Sequence, residues 1–305
     1  MQYGKSAVRT GYACTTDGTR LFFEAVGDGP ETVVVPNGMY LRDDFGLLCE
    51  EHTVIFYDLR NRGLSDAISD ASKLKAGIHN DVDDLEAVRQ HLGISKMTLV
   101  GHSYVGLMIA LYAMKYVANV SRMVQLAPAP PYASKQYPAH LTCNDGVLQE
   151  VFGRLAELQK ERGSHAPEEF CRKFWSVLRA IFVADPANAV KIDWGRCNLP
   201  NERNAMKYWN ESVFPSMQAL QLAVEDFAKI TIPVLILHGR KDRSAPYGGA
   251  REWGRLFPNA RLVSVDSVGH ALWIEAPERV LGAMRIFLDG AWPEGSEDVK
   301  PVTSG

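Results

Sequence analysis

A serine hydroxyl becomes a nucleophile only when a base takes its proton, and the base works only when a third group fixes its tautomer. Ser103 is the serine whose surroundings suit that use. It stands in Gly101-His102-Ser103-Tyr104-Val105-Gly106, between the apolar run Met97 to Val100 and the helical run Val105 to Tyr116. Gly101 has no Cβ, so the backbone can turn sharply there and lift the serine clear of a sheet. The helix that follows presents free N–H groups and the positive end of its dipole to a developing oxyanion. Gly-x-Ser alone arises often by chance; the strand before it and the helix after it make it specific. A base is available in Ser267-Val268-Gly269-His270-Ala271, just beyond the last strand. His238 closes the apolar run Pro233 to Leu237 and reads as a core histidine, while His102 is expected to point away from the pocket. His52, His79, His91, His140 and His165 have no partner pattern.

Such groups need a frame. Arg20 to Val26, Thr32 to Val35, His52 to Asp58, Met97 to Val100, Arg122 to Leu126, Pro233 to Leu237 and Arg261 to Val265 read as strands, several of them continuous apolar runs of the fully buried kind. Helices alternate with them. One starts at the cap candidates Asn80 and Asp81, carries Val82, Leu85, Val88 and Leu92 as its stripe, and closes at Gly93. Another follows Ser103, and an amphipathic helix runs from about Pro277 to Leu288. This rhythm predicts an α/β fold, a parallel sheet with right-handed crossovers and helices on both faces. It stops after Pro128-Ala129-Pro130-Pro131. The expected division is a core of residues 1–130 and 228–290, a helical cap of 131–227, and a loose tail of 291–305 rich in Pro, Gly, Ser and charge.

With Leu99 to Gly106 placed at a strand-to-helix turn, the chain resembles the α/β-hydrolase fold family, in its group of capped esterase, peptidase and lyase relatives, from about Gly11 to Leu288. The resemblance implies a mostly parallel eight-stranded sheet flanked by helices, with an inserted helical cap, and a triad in the order Ser103, Asp242, His270. Asp242 ends Leu237-His238-Gly239-Arg240-Lys241-Asp242, which is similar to the family's strand-end turn, 28 positions before His270. Its carboxylate would hold the imidazole tautomer and stabilise the imidazolium. The implied oxyanion hole joins the backbone N–H groups of Tyr104 and Met39, with Gly38 giving the turn. Asn37 stands where the family usually has histidine. Val105 stands where the pattern Gly-x-Ser-x-Gly has its second glycine, with Gly106 one position later. Asp58 to Asp66 matches a family turn whose role is architectural, and Asp266 reads as a solvated surface residue.

A cap over the nucleophile would line the pocket with some of its aromatics and bury others in its own core. Trp175 and Trp209 from the insertion, Trp273 beside His270, and Asn37 and Gly38 are the expected substrate contacts. They favour a modest apolar acyl or aromatic group. The leading expectation is hydrolysis of a carboxylic ester through an acyl-enzyme. Removal of N-terminal proline from peptides is an alternative, which would need cap carboxylates such as Glu202, Glu211 or Glu225 to bind an α-amine. A lyase or C–C hydrolase on the same triad is another. A ligand receptor with a slow or silent triad is the reading of a different class, and Val105 is the feature that leans toward it.

Composition bounds the rest. The 305 residues are 46% hydrophobic, enough to bury a core, with net charge −3 and a pI near 6.3. A nucleic-acid binder would need a basic surplus. No apolar run approaches the roughly 20 residues that cross a bilayer, and Met1 to Gly18 lacks the apolar stretch of a secretion signal. The expectation is therefore a cytoplasmic protein acting on a small molecule, with no nucleic-acid or membrane partner and the oligomeric state left open. The five cysteines, Cys14, Cys49, Cys143, Cys171 and Cys197, show neither metal-ligand nor redox spacing and read as reduced thiols. Neither a metal nor a cofactor is implied.

Overall fold

The computed structural model describes residues 8–194, 197–199 and 201–299, with the backbone alone at 202 and 203. Among these residues the sheet has eight strands: β1 (Val8–Cys14), β2 (Arg20–Val26), β3 (Thr32–Pro36), β4 (Thr53–Tyr57), β5 (Met97–His102), β6 (Val120–Leu126), β7 (Val234–Gly239) and β8 (Ala260–Val265). Their order is β1-β2-β4-β3-β5-β6-β7-β8. The pairs β1–β2 and β2–β4 are antiparallel, and every other neighbouring pair is parallel. β5 and β7 are buried along their whole length, as strands covered on both faces must be, which is why they read as unbroken apolar runs. β1 escaped the sequence reading because it is an edge strand with mostly exposed side chains, held by its register against β2 from Val8↔Val26 to Cys14↔Arg20.

The flanking helices are α1 (Gly38–Phe45), α2 (Ile78–His91) and α3 (Tyr104–Tyr116). Between β6 and β7 come α4 (Val147–Lys160), α5 (Pro167–Leu178), α6 (Glu202–Tyr208), α7 (Phe214–Gln218) and α8 (Val224–Phe227). After β7 come α9 (Tyr247–Leu256), α10 (Leu272–Glu275) and α11 (Pro277–Leu288). One core holds Leu85, Met108 and Trp253 from α2, α3 and α9; the other holds Phe45, Met284 and Phe287 from α1 and α11. Each such side chain, taken fully out of water, contributes about 1.5–3 kcal/mol. α2 begins at Ile78, ahead of the expected caps, because Gly77 turns the chain at φ 56° and Ser216 Oγ accepts the Ile78 N–H at 2.9 Å. The sequence offers no local sign of a cap supplied from so far along the chain.

Register aligns the strand ends. His102 of β5 pairs with Leu126 of β6, Leu126 with Leu237 of β7, and Gly239 with Val265 of β8. The loops leaving these residues therefore emerge along one carboxyl edge. The chain passes from β3 to β4 on one side and to β5 on the other, and open α/β sheets bind ligands at the carboxyl edge of such a switch.

No strand lies between β6 and β7 among the described residues, so this stretch is a helical insertion. It contains a disulfide, Cys171–Cys197, with a Cα–Cα distance of 5.8 Å, which corrects the reading of all five cysteines as thiols. Two cysteines 26 residues apart give no signature in sequence; packing of α5 beside the loop before α6 brings them together. The loose tail is also corrected for residues 291–299. Glu297 pairs with Leu262 of β8, Trp292 packs on Phe287, and Val299 is buried against Gly254. No helix among the described residues is long and apolar enough to cross a membrane.

Candidate active site

Ser103 joins β5 to α3 with φ 58° and ψ −127°, a conformation that costs a non-glycine residue about 1–3 kcal/mol. Its own backbone holds it there. The Ser103 N–H donates to Leu126 O at 2.9 Å, and its carbonyl accepts from Gly106 N at 2.9 Å and Ala129 N at 3.0 Å. A Cβ on Gly101 would sit 2.7 Å from Val105 O, and one on Gly106 would sit 2.9 Å from Pro128 Cβ. The space that a second glycine provides is thus needed at Gly106. The Val105 side chain turns into the core beside α2 and is accommodated without loss.

On the neighbouring loops stand Asp242 and His270, the expected acid and base. Asp242 Oδ1 accepts the N–H groups of Ser244 and Ala245, both at 2.8 Å. Asp242 Oδ2 lies 2.7 Å from His270 Nδ1 and 3.2 Å from His238 Nε2. Burial alone would push this carboxyl up, but the charge and hydrogen bonds of His270 and His238 outweigh it and hold Asp242 well below the usual carboxylate range. A proton kept on His270 Nδ1 by its hydrogen bond to Asp242 leaves Nε2 bare, the tautomer a base needs. His238 is a core residue, as its sequence suggested, yet it also touches the acid. Its Nε2 lies 3.1 Å from Ala245 O, and its buried Nδ1 has no partner. Glu275 fixes the histidine loop to the insertion, accepting from Gly269 N at 2.7 Å, Ala184 N at 2.9 Å and Asp185 N at 3.0 Å.

His102 does not point away. Its ring lies 4.5 Å from that of His270, and its Nε2–H donates to the His270 carbonyl at 3.2 Å. The last side chain of β5 falls on the sheet face shared with α10, so it packs toward the histidine loop. Burial, then the nearby His270, pushes the His102 pKa well down and keeps the ring neutral. Trp273 meets His102 edge-on at 4.8 Å and donates from Nε1 to Asp44 at 2.8 Å. From the insertion, Phe182 stacks on His270 at 5.6 Å and Trp194 packs 5.6 Å from His102. The sequence did not single out these two; aromatic character alone could not separate them from the insertion's other rings. Trp175 packs on Tyr40 at 5.9 Å, a ring further from the histidines. Trp209 lies on the other flank, in a π-helical turn, with its ring 5.0 Å from Tyr104.

The expected oxyanion loop is present but its donor is engaged. Asn37 adopts φ 67° and starts α1, and Gly38 lies so close to β4 that a Cβ would be 2.9 Å from Phe56 Cβ. The Met39 N–H, expected to face an oxyanion, donates to Asp58 Oδ1 at 2.8 Å. Asp58 Oδ2 accepts from Leu64 N at 2.9 Å, so the Asp58 turn is architectural by tying this loop down. Tyr104 is the first residue of α3, where backbone N–H groups have no partner within the helix.

A second buried polar cluster lies beside Tyr104. The Arg62 guanidinium sits 5.3 Å from the Tyr104 ring, and Tyr208 of the insertion donates to Asp81 Oδ1 at 3.3 Å. Burial, then the neighbouring Asp84, pushes Asp81 up to about 7. Asp81 Oδ2, Tyr57 OH and Tyr104 OH are buried without a hydrogen-bond partner. No grouping of His, Cys, Asp and Glu with the proximity of metal ligands occurs at this edge among the described residues.

Comparison with known proteins bears on the fold that carries these residues. A family described as the alpha/beta hydrolase fold matches residues 40–277. The chain is similar to the bifunctional esterase/perhydrolase DCH of Acinetobacter calcoaceticus, with 27% identity covering 86% of this chain and 93% of that protein. It is similar to the non-heme haloperoxidase of Rhodococcus erythropolis, with 25% identity covering 91% and 99%. Among solved structures, the esterase EaEST from Exiguobacterium antarcticum superposes with a TM-score of 0.69 at 19% identity, covering 92% of this chain and 100% of that one. At that identity the likeness shows the fold.

Proposed function

The chain belongs to the α/β-hydrolase fold family, and from that premise we propose that it is a serine hydrolase of carboxylic esters, with Ser103 as nucleophile, His270 as base and Asp242 as the orienting acid. The observation that carries the reading is the 2.7 Å bond from His270 Nδ1 to Asp242 Oδ2, on the same sheet edge as the strained Ser103 turn. In the proposed reaction His270 Nε2 takes the Ser103 proton as Oγ attacks the ester carbonyl. The tetrahedral oxyanion meets the Tyr104 N–H; a second donor requires either exchange of the Met39–Asp58 bond or another amide of the loop. Collapse expels the alcohol, which takes its proton from His270, and water then releases the acid by the same steps. Phe182, Trp194, Trp273 and Trp209 suit a modest apolar or aromatic group.

The aminopeptidase alternative draws less support. Glu211 is exposed and faces Lys207 at 3.9 Å, Glu225 is exposed on α8, and the side chain of Glu202 lies outside the described residues. The receptor alternative loses its motive, since Val105 fits the core and Gly106 supplies the needed space. Initial rates on short-chain nitrophenyl esters and a proline anilide, with Ser103→Ala beside the wild type, test the proposal. Ester turnover should fall at least about 10³-fold in the variant. Equal rates for the two proteins on every ester would sink it, and preference for the anilide would move it to peptides.

A further inference from the structure

We propose that Glu51, His52 and Asp289 form a binding site for a divalent transition metal, zinc or manganese, at the sheet edge opposite Ser103. Their ligand atoms all lie within 4.8 Å of one another. His52 immediately precedes β4, is 5% exposed, and has no hydrogen-bond partner at either ring nitrogen. A buried imidazole with both nitrogens unpaired is costly, and its free lone pair is what a borderline metal takes. Asp289 caps the carboxyl end of α11, where the helix already presents negative partial charge, so the position favours a cation. Arg285 donates to one oxygen of the Glu51 carboxylate, Oε1, at 2.7 Å. The Glu51 carboxylate has its second oxygen to offer.

The backbone carrying two of the ligands is pinned before any metal arrives. A Cβ on Gly27 would lie 2.1 Å from His52 O, and one on Gly29 would lie 2.0 Å from Glu51 O, so this loop presses directly on the Glu51–His52 segment. One imidazole nitrogen with two carboxylates suits zinc or manganese; calcium and magnesium prefer all-oxygen sets and copper(I) prefers sulfur. A bound metal would tie the start of β4 to the end of α11 and stabilise the fold without entering the chemistry at Ser103.

The test is equilibrium dialysis of the chelator-treated full chain against Zn²⁺, with Mn²⁺ in parallel, together with the melting temperature at each metal concentration. The wild type should take up about one ion per chain, with a melting temperature that rises and then saturates. Asp289→Asn, an exposed and conservative change, should weaken binding at least about tenfold, and so should His52→Gln. Absence of uptake by the wild type overturns the proposal. So does uptake by both variants at wild-type affinity. Should His52→Gln fail to fold, Asp289→Asn and Glu51→Gln decide the question on the same readouts.

Discussion

Asp242 and Asp81 are carboxylates buried to the same degree on opposite flanks of the Ser103 turn, and their surroundings drive them to opposite states. Asp242 is met by two backbone N–H groups and two imidazoles and is held ionised. Asp81 has one tyrosine hydroxyl at 3.3 Å, a carboxylate neighbour in Asp84 and one oxygen unpartnered, and it is pushed up to about 7. Burial raises both; what differs is the number of donors aimed at each. The flank with every Asp242 oxygen satisfied is preorganised for one geometry. The flank with Asp81 Oδ2, Tyr57 OH and Tyr104 OH left over lacks that set of fixed donors.

Asp242→Asn is the hardest test of the contrast. The amide can donate to His270 Nδ1, which selects the wrong tautomer and takes away the counter-charge to the imidazolium. Ester kcat should drop by about 10³–10⁴-fold with the fold retained. Activity within tenfold of wild type would mean the satisfied flank is only structural. Asp81→Asn tests the other side through stability. With a folded pKa near 7 against an ordinary 3.8, the unfolded chain loses this proton first. Between those pH values the folded state binds more protons, so this group's contribution makes stability fall as pH rises. For Asp242 the sign is reversed, and its contribution is lost as pH falls below the ordinary carboxylate range. Denaturant unfolding from pH 4 to pH 7.5 should show Asp81→Asn gaining on the wild type toward the upper end, by a few kcal/mol at most. An unchanged difference across that range would remove Asp81 from the comparison.

What the sequence made legible follows from how far each feature reaches along the chain. β5, Ser103 and α3 are contiguous, so the turn could be read from one octapeptide. Asp242 and His270 each close a strand-end loop, and the order of the strands brings them to one edge. The Met39–Asp58 bond was hidden because it depends on how α1 lies over β4, which the pattern Asn37-Gly38-Met39 does not encode. His102 was misjudged because the crowding of Trp273, Trp194 and His270 decides its direction, and Trp194 comes from the insertion. The Cys171–Cys197 pair and the seating of Glu297 on Leu262 are likewise contacts between separated segments. β1 failed for a different reason: an exposed edge strand has too few buried positions to print a period.

His238 offers the smallest and most discriminating test. It shares Asp242 Oδ2 with His270 at 3.2 Å against 2.7 Å, and its Nε2–H is divided between that oxygen and Ala245 O at 3.1 Å. If His238 acts on the site, it does so by partly neutralising the carboxylate that orients the base. His238→Phe removes the donor while keeping a ring in the core, so Asp242 should pull harder on a proton held by the pair. The acid limb of the pH–rate profile should then move to higher pH, with kcat/KM at neutral pH reduced by about tenfold, and His238→Asn should recover part of both by restoring a donor. A merely structural role would lower stability in both variants and leave the profile where it was. A fixed profile would assign the electrostatics of the satisfied flank to the Ser244 and Ala245 amides and His270 alone. A moved one would extend the site one residue deeper, to a histidine that hydrogen-bonds the acid without reaching the substrate.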